Sequence, residues 1–203
     1  MKLQWSIWSK VILIAILAAT LVGFWYFENS LLFKISVVIL AASGLLVACL
    51  KKIDRPPLKS PHEFIILLAL YLGIFTLYNL LYGLSIPLYL VMIAILGLVS
   101  GLFFGLLILD RLDTIINPPL FWVFIILVGL VILEIFLSLS FWPIDPKVKS
   151  LMIVVIFYLL MNLIYLFSHN MLKLKRILGI MIVSILILSL MILSIWMSLR
   201  GGV

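Results

Sequence analysis

The sequence predicts an all-α membrane protein, a polytopic transmembrane helical bundle of about seven spans with a cytoplasmic N-terminus and an external C-terminus. The first observation is composition, because 67% of the 203 residues are hydrophobic and only 10% are charged. About a quarter of the residues of a soluble domain are charged. This chain therefore has too few polar side chains to cover a soluble surface. Its mean hydropathy of +1.45 also excludes a disordered chain, which combines low hydrophobicity with high charge.

The second observation is that the apolar residues are divided into segments of membrane-crossing length. A hydrocarbon core about 30 Å thick requires roughly 20 apolar residues in a helix. The apolar runs also lack the alternation of apolar and polar residues that a transmembrane β-strand requires. We therefore predict one transmembrane domain over residues 1–203, without a soluble domain, and spans at about 3–27, 31–50, 63–83, 86–109, 120–142, 150–167 and 178–199.

The first three spans are separated by polar residues and then by a charged, proline-rich segment. The first span ends before Glu28, and Lys10 interrupts its beginning, so residues 1–10 either belong to the helix or lie flat on the inner surface. The second span ends at the segment Lys51–His62, which contains three prolines and predicts an exposed inner loop suited to binding a partner. The third span begins directly after this loop.

Prolines and tryptophans mark the ends of the predicted spans, including the last four. All eight prolines of the chain fall in connections or in a first helical turn, where the missing N–H is tolerated. All six tryptophans lie within a turn or two of a predicted span end, where the ring is buried and the N–H stays hydrated. Two independent residue types therefore predict the same boundaries.

The distribution of lysine and arginine predicts the orientation. With the N-terminus inside, ten of the fourteen cations fall on the inner side, as the positive-inside rule requires.

The compact size, the preference for lysine and the absence of an Asn-x-Ser/Thr sequon favour a prokaryotic plasma membrane. We expect the bilayer, including anionic inner-leaflet lipids, as a partner. We expect no nucleic acid, because the net charge of +7 has no accompanying basic stripe with interleaved aromatic residues. The four outer cations are Lys34, Lys147, Lys149 and Arg200.

No group of catalytic or metal-ligating residues is recognisable in the sequence. Cys49 is the single cysteine, and His62 and His169 are the two histidines, too few for a metal site. Each aspartate falls at a span end or in a connection. We therefore predict no enzyme activity, no catalytic residue, no metal and no cofactor.

One ionisable residue, Glu134, is predicted well inside a span. A charge at that depth costs at least about 2.5 kcal/mol unless it is paired or hydrated. Ser138 lies one turn away, and the helical stripe of Tyr158 and Asn162 is expected level with Glu134 across an antiparallel hairpin. The polar site is interpreted either as interhelical hydrogen bonding or as a titrating, cation-binding carboxylate. The candidate intramembrane polar site comprises Glu134, Ser138, Tyr158, Asn162, Lys34 and Asn79.

Small residues at four-residue spacing predict where helices pack closely. We interpret them as a seam inside the bundle, and a seam to a homo-oligomer or partner membrane protein is the alternative. The helix-packing seam comprises Gly97, Gly101 and Gly105 of the fourth span and Ala15, Ala19 and Gly23 of the first.

These features predict a multi-pass integral membrane protein that acts as a non-catalytic membrane subunit or scaffold. The alternative is a small proton- or cation-coupled transporter that uses Glu134. The two differ in whether this carboxylate titrates during function.

Overall fold

The described residues form an all-α structure. The computed structural model describes residues 2–50, 61–84, 86–109 and 118–168, with the single positions 182, 185 and 189. No strand occurs among these residues, which confirms the all-α prediction for this part of the chain. The predicted seventh span lies outside the described residues except for three helical positions, so the count of seven and the orientation of the termini stay predictions. The helices are α1 (Lys2–Phe27), α2 (Leu31–Leu50), α3 (Pro61–Gly83), α4 (Leu88–Leu109), α5 (Pro118–Ser140) and α6 (Pro146–Ser168).

The helix boundaries follow the prolines more closely than the sequence analysis predicted. Helices α3, α5 and α6 each begin at a proline, two to four residues before the predicted starts, because proline is favoured in the first turn of a helix. Helix α4 begins one residue after Pro87. Helix α1 is continuous from Lys2 over 26 residues, about 39 Å at 1.5 Å per residue, so residues 2–10 extend the first helix.

Three helices of the described chain are long and apolar enough to cross a membrane. Their apolar segments are Glu63–Gly83, Trp122–Ser140 and Pro146–Phe167, with mean hydropathies of 2.2, 2.8 and 2.4. Shorter apolar helical segments cover Leu13–Phe27 and Leu88–Phe103. These lengths indicate a membrane protein.

Helix α3 is the centre of the bundle. It packs against α1, α2, α4 and α6, whereas α5 packs mainly against α4 and α6. Aromatic side chains of α3 contact its neighbours, since the rings of Phe24 and Phe75 lie 5.4 Å apart. The fully or almost fully buried residues of α3 are Ile65, Ile66, Ala69, Leu70, Leu72, Ile74, Phe75 and Tyr78.

Two glycines allow α1, α3 and α4 to approach closely. A Cβ atom at Gly23 of α1 would lie 2.5 Å from Cγ2 of Thr76 of α3. A Cβ atom at Gly73, which the sequence analysis did not single out, would lie 2.5 Å from Cδ2 of Leu98 and 3.1 Å from Cγ2 of Thr20. Each of the two helices therefore places a glycine against a threonine of the other, Gly23 of α1 against Thr76 and Gly73 of α3 against Thr20.

The remaining residues of the predicted seam have varied surroundings. A Cβ atom at Gly101 would lie 3.2 Å from Cδ1 of Ile16, whereas one at Gly97 would meet nothing within 4 Å. Ala15 and Ala19 are exposed. The side-chain surroundings of Gly105 lie outside the described residues. Among the predicted seam residues whose surroundings the structure describes, close packing is therefore observed chiefly at Gly23.

Candidate functional site

Glu134 and Ser138 lie on the exposed side of α5. The hydroxyl of Ser138 donates a hydrogen bond to the Glu134 carbonyl oxygen at 2.9 Å. On the opposite side of the helix, Ile132 and Phe136 are fully buried. We call the exposed stripe the α5 flank, and it consists of Val123, Ile126, Leu127, Leu130, Glu134 and Ser138.

The two asparagines of the predicted polar site are bonded within their own helices. Asn162 is 5% exposed, and its amide nitrogen donates to the Tyr158 carbonyl oxygen at 2.8 Å. The amide nitrogen of the half-buried Asn79 donates to the Phe75 carbonyl oxygen at 2.8 Å. Both amides therefore have a backbone acceptor one turn away.

Lys34 lies beside α1. Its ammonium is 5.2 Å from the ring centroid of Trp25, a distance typical of a cation–π contact. Among the described residues, the observed hydrogen bonds of the six predicted site residues do not join one helix to another. Whether Glu134 titrates in function stays a prediction.

The structure instead brings another set of polar residues together at one end of the bundle. The end of α1 and the connection after it, the end of α3, the end of α5 and the start of α6 all meet there. We call this set the end cluster, and it consists of Glu28, Tyr78, Tyr82, Ser140, Lys147 and Lys149.

An ion pair joins the connection after α1 to the first turn of α6. The Lys147 ammonium lies 3.2 Å from Oε1 of Glu28 and 3.0 Å from Oε2. The Ser30 N–H donates to Oε1 at 3.0 Å. The Glu28 side chain is only 3% exposed, whereas that of Lys147 is 43% exposed, so water screens one partner of the pair.

The donors around Glu28 change the pKa of its carboxyl more than its burial does. Burial raises the pKa of the Glu28 carboxyl, but the Ser30 N–H, the Lys147 ammonium and the Asn29 N–H together lower it by more. The pKa therefore lies below its ordinary value of 4.5, because these donors stabilise the charged form. Glu28 is ionised at neutral pH.

Lys149 is a buried cation surrounded by tyrosines. It is 2% exposed, and its ammonium donates to the Tyr82 hydroxyl at 3.1 Å. The ammonium also lies 5.2 Å and 4.9 Å from the ring centroids of Tyr78 and Tyr82. The negative faces of the two rings attract the charge and replace part of its hydration.

The two tyrosines are fixed against α5. The Tyr78 hydroxyl donates to the Phe136 carbonyl oxygen at 3.1 Å, and the rings of these residues stack with centroids 4.1 Å apart. The Tyr82 hydroxyl donates to the Ser140 carbonyl oxygen. The rings of Tyr78 and Tyr82 are nearly parallel, at 5°. The surroundings of Lys149 are therefore held by hydrogen bonds and ring packing.

A surface pocket of about 330 Å³ opens beside Lys149. It lies between the end of α3 and the connection from α5 to α6. Most of its lining is aromatic or aliphatic, while Lys149 supplies a charge. Residues that line it include Tyr82, Ser140, Trp142, Ile144, Pro146 and Lys149.

The sequence contained two signals for the end cluster. The predicted orientation puts Lys147 and Lys149 on the outer side, against the positive-inside distribution, and such an exception is a signal for a local role. Tyr71, Tyr78 and Tyr82 follow one another at seven and four residues, and this spacing places them on one side of a helix. The involvement of Glu28 depends on contact with α6, 119 residues along the chain.

Among the described residues, no three or more His, Cys, Asp or Glu side chains lie together as metal ligands. Comparisons with protein-family models, with curated proteins and with solved structures find no match for the chain. The chemistry of the described side chains is therefore the basis for a functional proposal.

Proposed function

We propose that the chain is a multi-pass plasma-membrane protein of a prokaryote, with seven spans, a cytoplasmic N-terminus and an external C-terminus. We propose that it acts as a non-catalytic membrane subunit or scaffold, without a cofactor. The apolar segments of α3, α5 and α6, each long enough to cross a bilayer, support the membrane location. The inner excess of lysine and arginine supports the orientation.

The position of Glu134 carries the subunit proposal. Its side chain is exposed on the α5 flank, at a depth where a lipid-facing charge costs at least about 2.5 kcal/mol. A hydrogen-bond donor from another membrane helix offsets this cost, whereas acyl chains do not. The α5 flank is therefore the surface where a helix of a partner membrane protein, or of a second copy, packs against this chain.

Site-specific photo-crosslinking in native membranes tests this contact. A photoreactive residue at position 134 is expected to give one discrete protein adduct, either with a second copy or with one partner. The matched control carries the same residue at Leu151, an exposed position of α6, and is expected to give mainly lipid adducts. If position 134 gives only lipid adducts as well, the α5 flank faces lipid and the subunit proposal fails.

The transporter alternative predicts a different result for the same residue. Purified protein in proteoliposomes would carry protons or cations, and Glu134→Gln would abolish that flux while the protein stays folded. Under the subunit proposal, neither the wild-type protein nor the variant carries flux. Flux that depends on Glu134 would therefore replace the subunit proposal with the transporter.

A further inference from the structure

We propose that the pocket beside Lys149 binds the phosphate-type oxyanion of an anionic amphiphile. The oxyanion accepts hydrogen bonds from the Lys149 ammonium, and the apolar part of the amphiphile lies against Trp142 and Ile144. This inference rests on the proposed membrane location and is independent of the proposed contact at Glu134.

Lys149 has more hydrogen-bond donors than its observed contact with Tyr82 uses. An ammonium has three N–H donors, and the structure assigns one of them to the Tyr82 hydroxyl. That hydroxyl already donates its own proton to the Ser140 carbonyl oxygen, so it acts towards Lys149 as an acceptor. Among the described residues the structure assigns no acceptor to the other N–H donors of Lys149, which can then bind an oxyanion in the pocket that this residue lines.

The charge of Lys149 is not balanced by a carboxylate among the described residues. Within the described chain, the ion pair at this end joins Glu28 to Lys147 and leaves Lys149 without a carboxylate partner. The nearby Asp145 carboxylate accepts the Lys147 N–H at 2.7 Å and so caps the start of α6, where the helix dipole favours a negative charge. Both acidic side chains are thus engaged elsewhere, and a buried ammonium without a counterion favours an anionic ligand.

The size and location of the pocket suit a lipid headgroup. A volume of about 330 Å³ is within the range of ligand pockets and fits a lipid headgroup. Trp142 is 51% exposed and Phe141 is 85% exposed at the mouth of the pocket. Exposed aromatic residues at helix ends lie at headgroup level in membrane proteins. A phospholipid of the adjoining leaflet therefore brings its phosphate to the level of Lys149.

The side chains around Lys149 are already held in place without a ligand. Tyr82 is held by Ser140 and Lys149, and Tyr78 is held by Phe136. The Lys149 side chain, at 2% exposed, has little freedom left to lose. A preorganised cation has a smaller entropy cost of binding than an exposed lysine.

Binding measurements in detergent test the proposal. Short-chain phosphatidylglycerol is titrated into the purified full-length protein, and affinity is followed by native mass spectrometry. Lys149→Gln is expected to raise the Kd by about tenfold or more, because it removes a charge-assisted hydrogen bond. The matched control is Lys34→Gln, which removes a lysine that does not line the pocket and is expected to change the Kd less than about twofold. Equal affinity of the wild-type protein and Lys149→Gln would overturn the proposal.

A second variant, Trp142→Ala, and two further ligands, inorganic phosphate and phosphatidylcholine, identify the source of the oxyanion. They also keep the proposal testable if the Lys149 variant does not fold. Trp142→Ala keeps the cation, so it is expected to weaken phosphatidylglycerol binding and to leave inorganic phosphate binding unchanged. If inorganic phosphate binds as tightly as the lipid and Trp142→Ala changes neither Kd, the ligand is a free oxyanion and the amphiphile is excluded. If neither ligand binds, or if phosphatidylcholine binds as tightly as phosphatidylglycerol, the anion site is refuted. None of these results depends on an adduct at position 134.

Discussion

Helices α3 and α5 are both long and apolar, with mean hydropathies of 2.2 and 2.8 over their spanning segments, yet they occupy opposite environments. Helix α3 is surrounded by α1, α2, α4 and α6, whereas α5 packs mainly against α4 and α6 and leaves the α5 flank exposed. Their polar residues differ accordingly. Tyr78 of α3 is fully buried and bonded to α5, and Glu134 of α5 is exposed. Similar hydropathy therefore does not determine whether a polar residue of a helix is buried, whereas the packing of the neighbouring helices does.

The largest expected effect comes from filling the contact between α1 and α3. Gly23→Leu would place a Cβ atom 2.5 Å from Cγ2 and 2.9 Å from Oγ1 of Thr76. Because threonine is β-branched, no rotation of the Thr76 side chain relieves both contacts. The helices must separate, at a cost of about 3 kcal/mol or more in the free energy of unfolding. Unfolding in detergent, followed by tryptophan fluorescence, measures this loss.

Gly97→Leu is the matched control for Gly23→Leu, because it adds the same side chain where nothing lies within 4 Å. Its effect is expected within about 0.5 kcal/mol of neutral, or slightly stabilising, since leucine has a higher helix propensity than glycine. Equal losses at the two positions would contradict the central position of α3. A folded Gly97→Leu variant that loses a higher assembly would favour the alternative interpretation of the seam as an oligomer contact.

The second prediction concerns the end cluster beside α3. Glu28→Gln is expected to lower the free energy of unfolding by about 1 kcal/mol at pH 7, because it removes a charged acceptor from two donors. This value allows for the 43% exposure of Lys147, which screens the pair. The pKa of Glu28 is lowered by folding, so its stabilisation is present above the unfolded pKa and is lost as the pH falls through the folded pKa.

A pH series separates the charge of Glu28 from its packing. The difference in unfolding free energy between the wild-type protein and Glu28→Gln is expected to hold above the ordinary value of 4.5 and to shrink progressively below it. Lys147→Gln provides the second side of a double-mutant cycle, and the double variant should lose less than the sum of the two single changes. A difference that stays constant with pH would show that the charge of Glu28 contributes nothing.

The helices were predictable because proline, tryptophan and charge mark where an apolar segment ends. Pro61, Pro118 and Pro146 each begin a helix, and predicted starts missed them by only two to four residues. The sides of the helices were not predictable, since nearly continuous apolar sequence around α5 gives no periodic contrast between lipid-facing and core-facing residues. Glu134 was therefore predicted to lie within the apolar segment of α5, while its exposed orientation follows only from the packing of α4 and α6.

The smallest expected effect is at Glu134, and it tests the comparison between α3 and α5 directly. Glu134→Leu is expected to change the unfolding free energy of the isolated chain by less than about 0.5 kcal/mol. On the buried side of the same helix, the control Ile132→Val alters a residue that is 0% exposed and is expected to cost about 1 kcal/mol. Thermal unfolding in one detergent compares the two.

The order of these two effects decides what Glu134 does inside the chain. If Glu134→Leu costs more than Ile132→Val, the carboxylate belongs to a hydrogen-bonded network between helices, and the α5 flank is then part of the folded core. If the cost is negligible, Glu134 contributes nothing to the stability of its own chain. A negligible loss is the result expected if the carboxylate acts outside its own fold, and the crosslink at position 134 and the flux measurement then distinguish a subunit contact from the transporter.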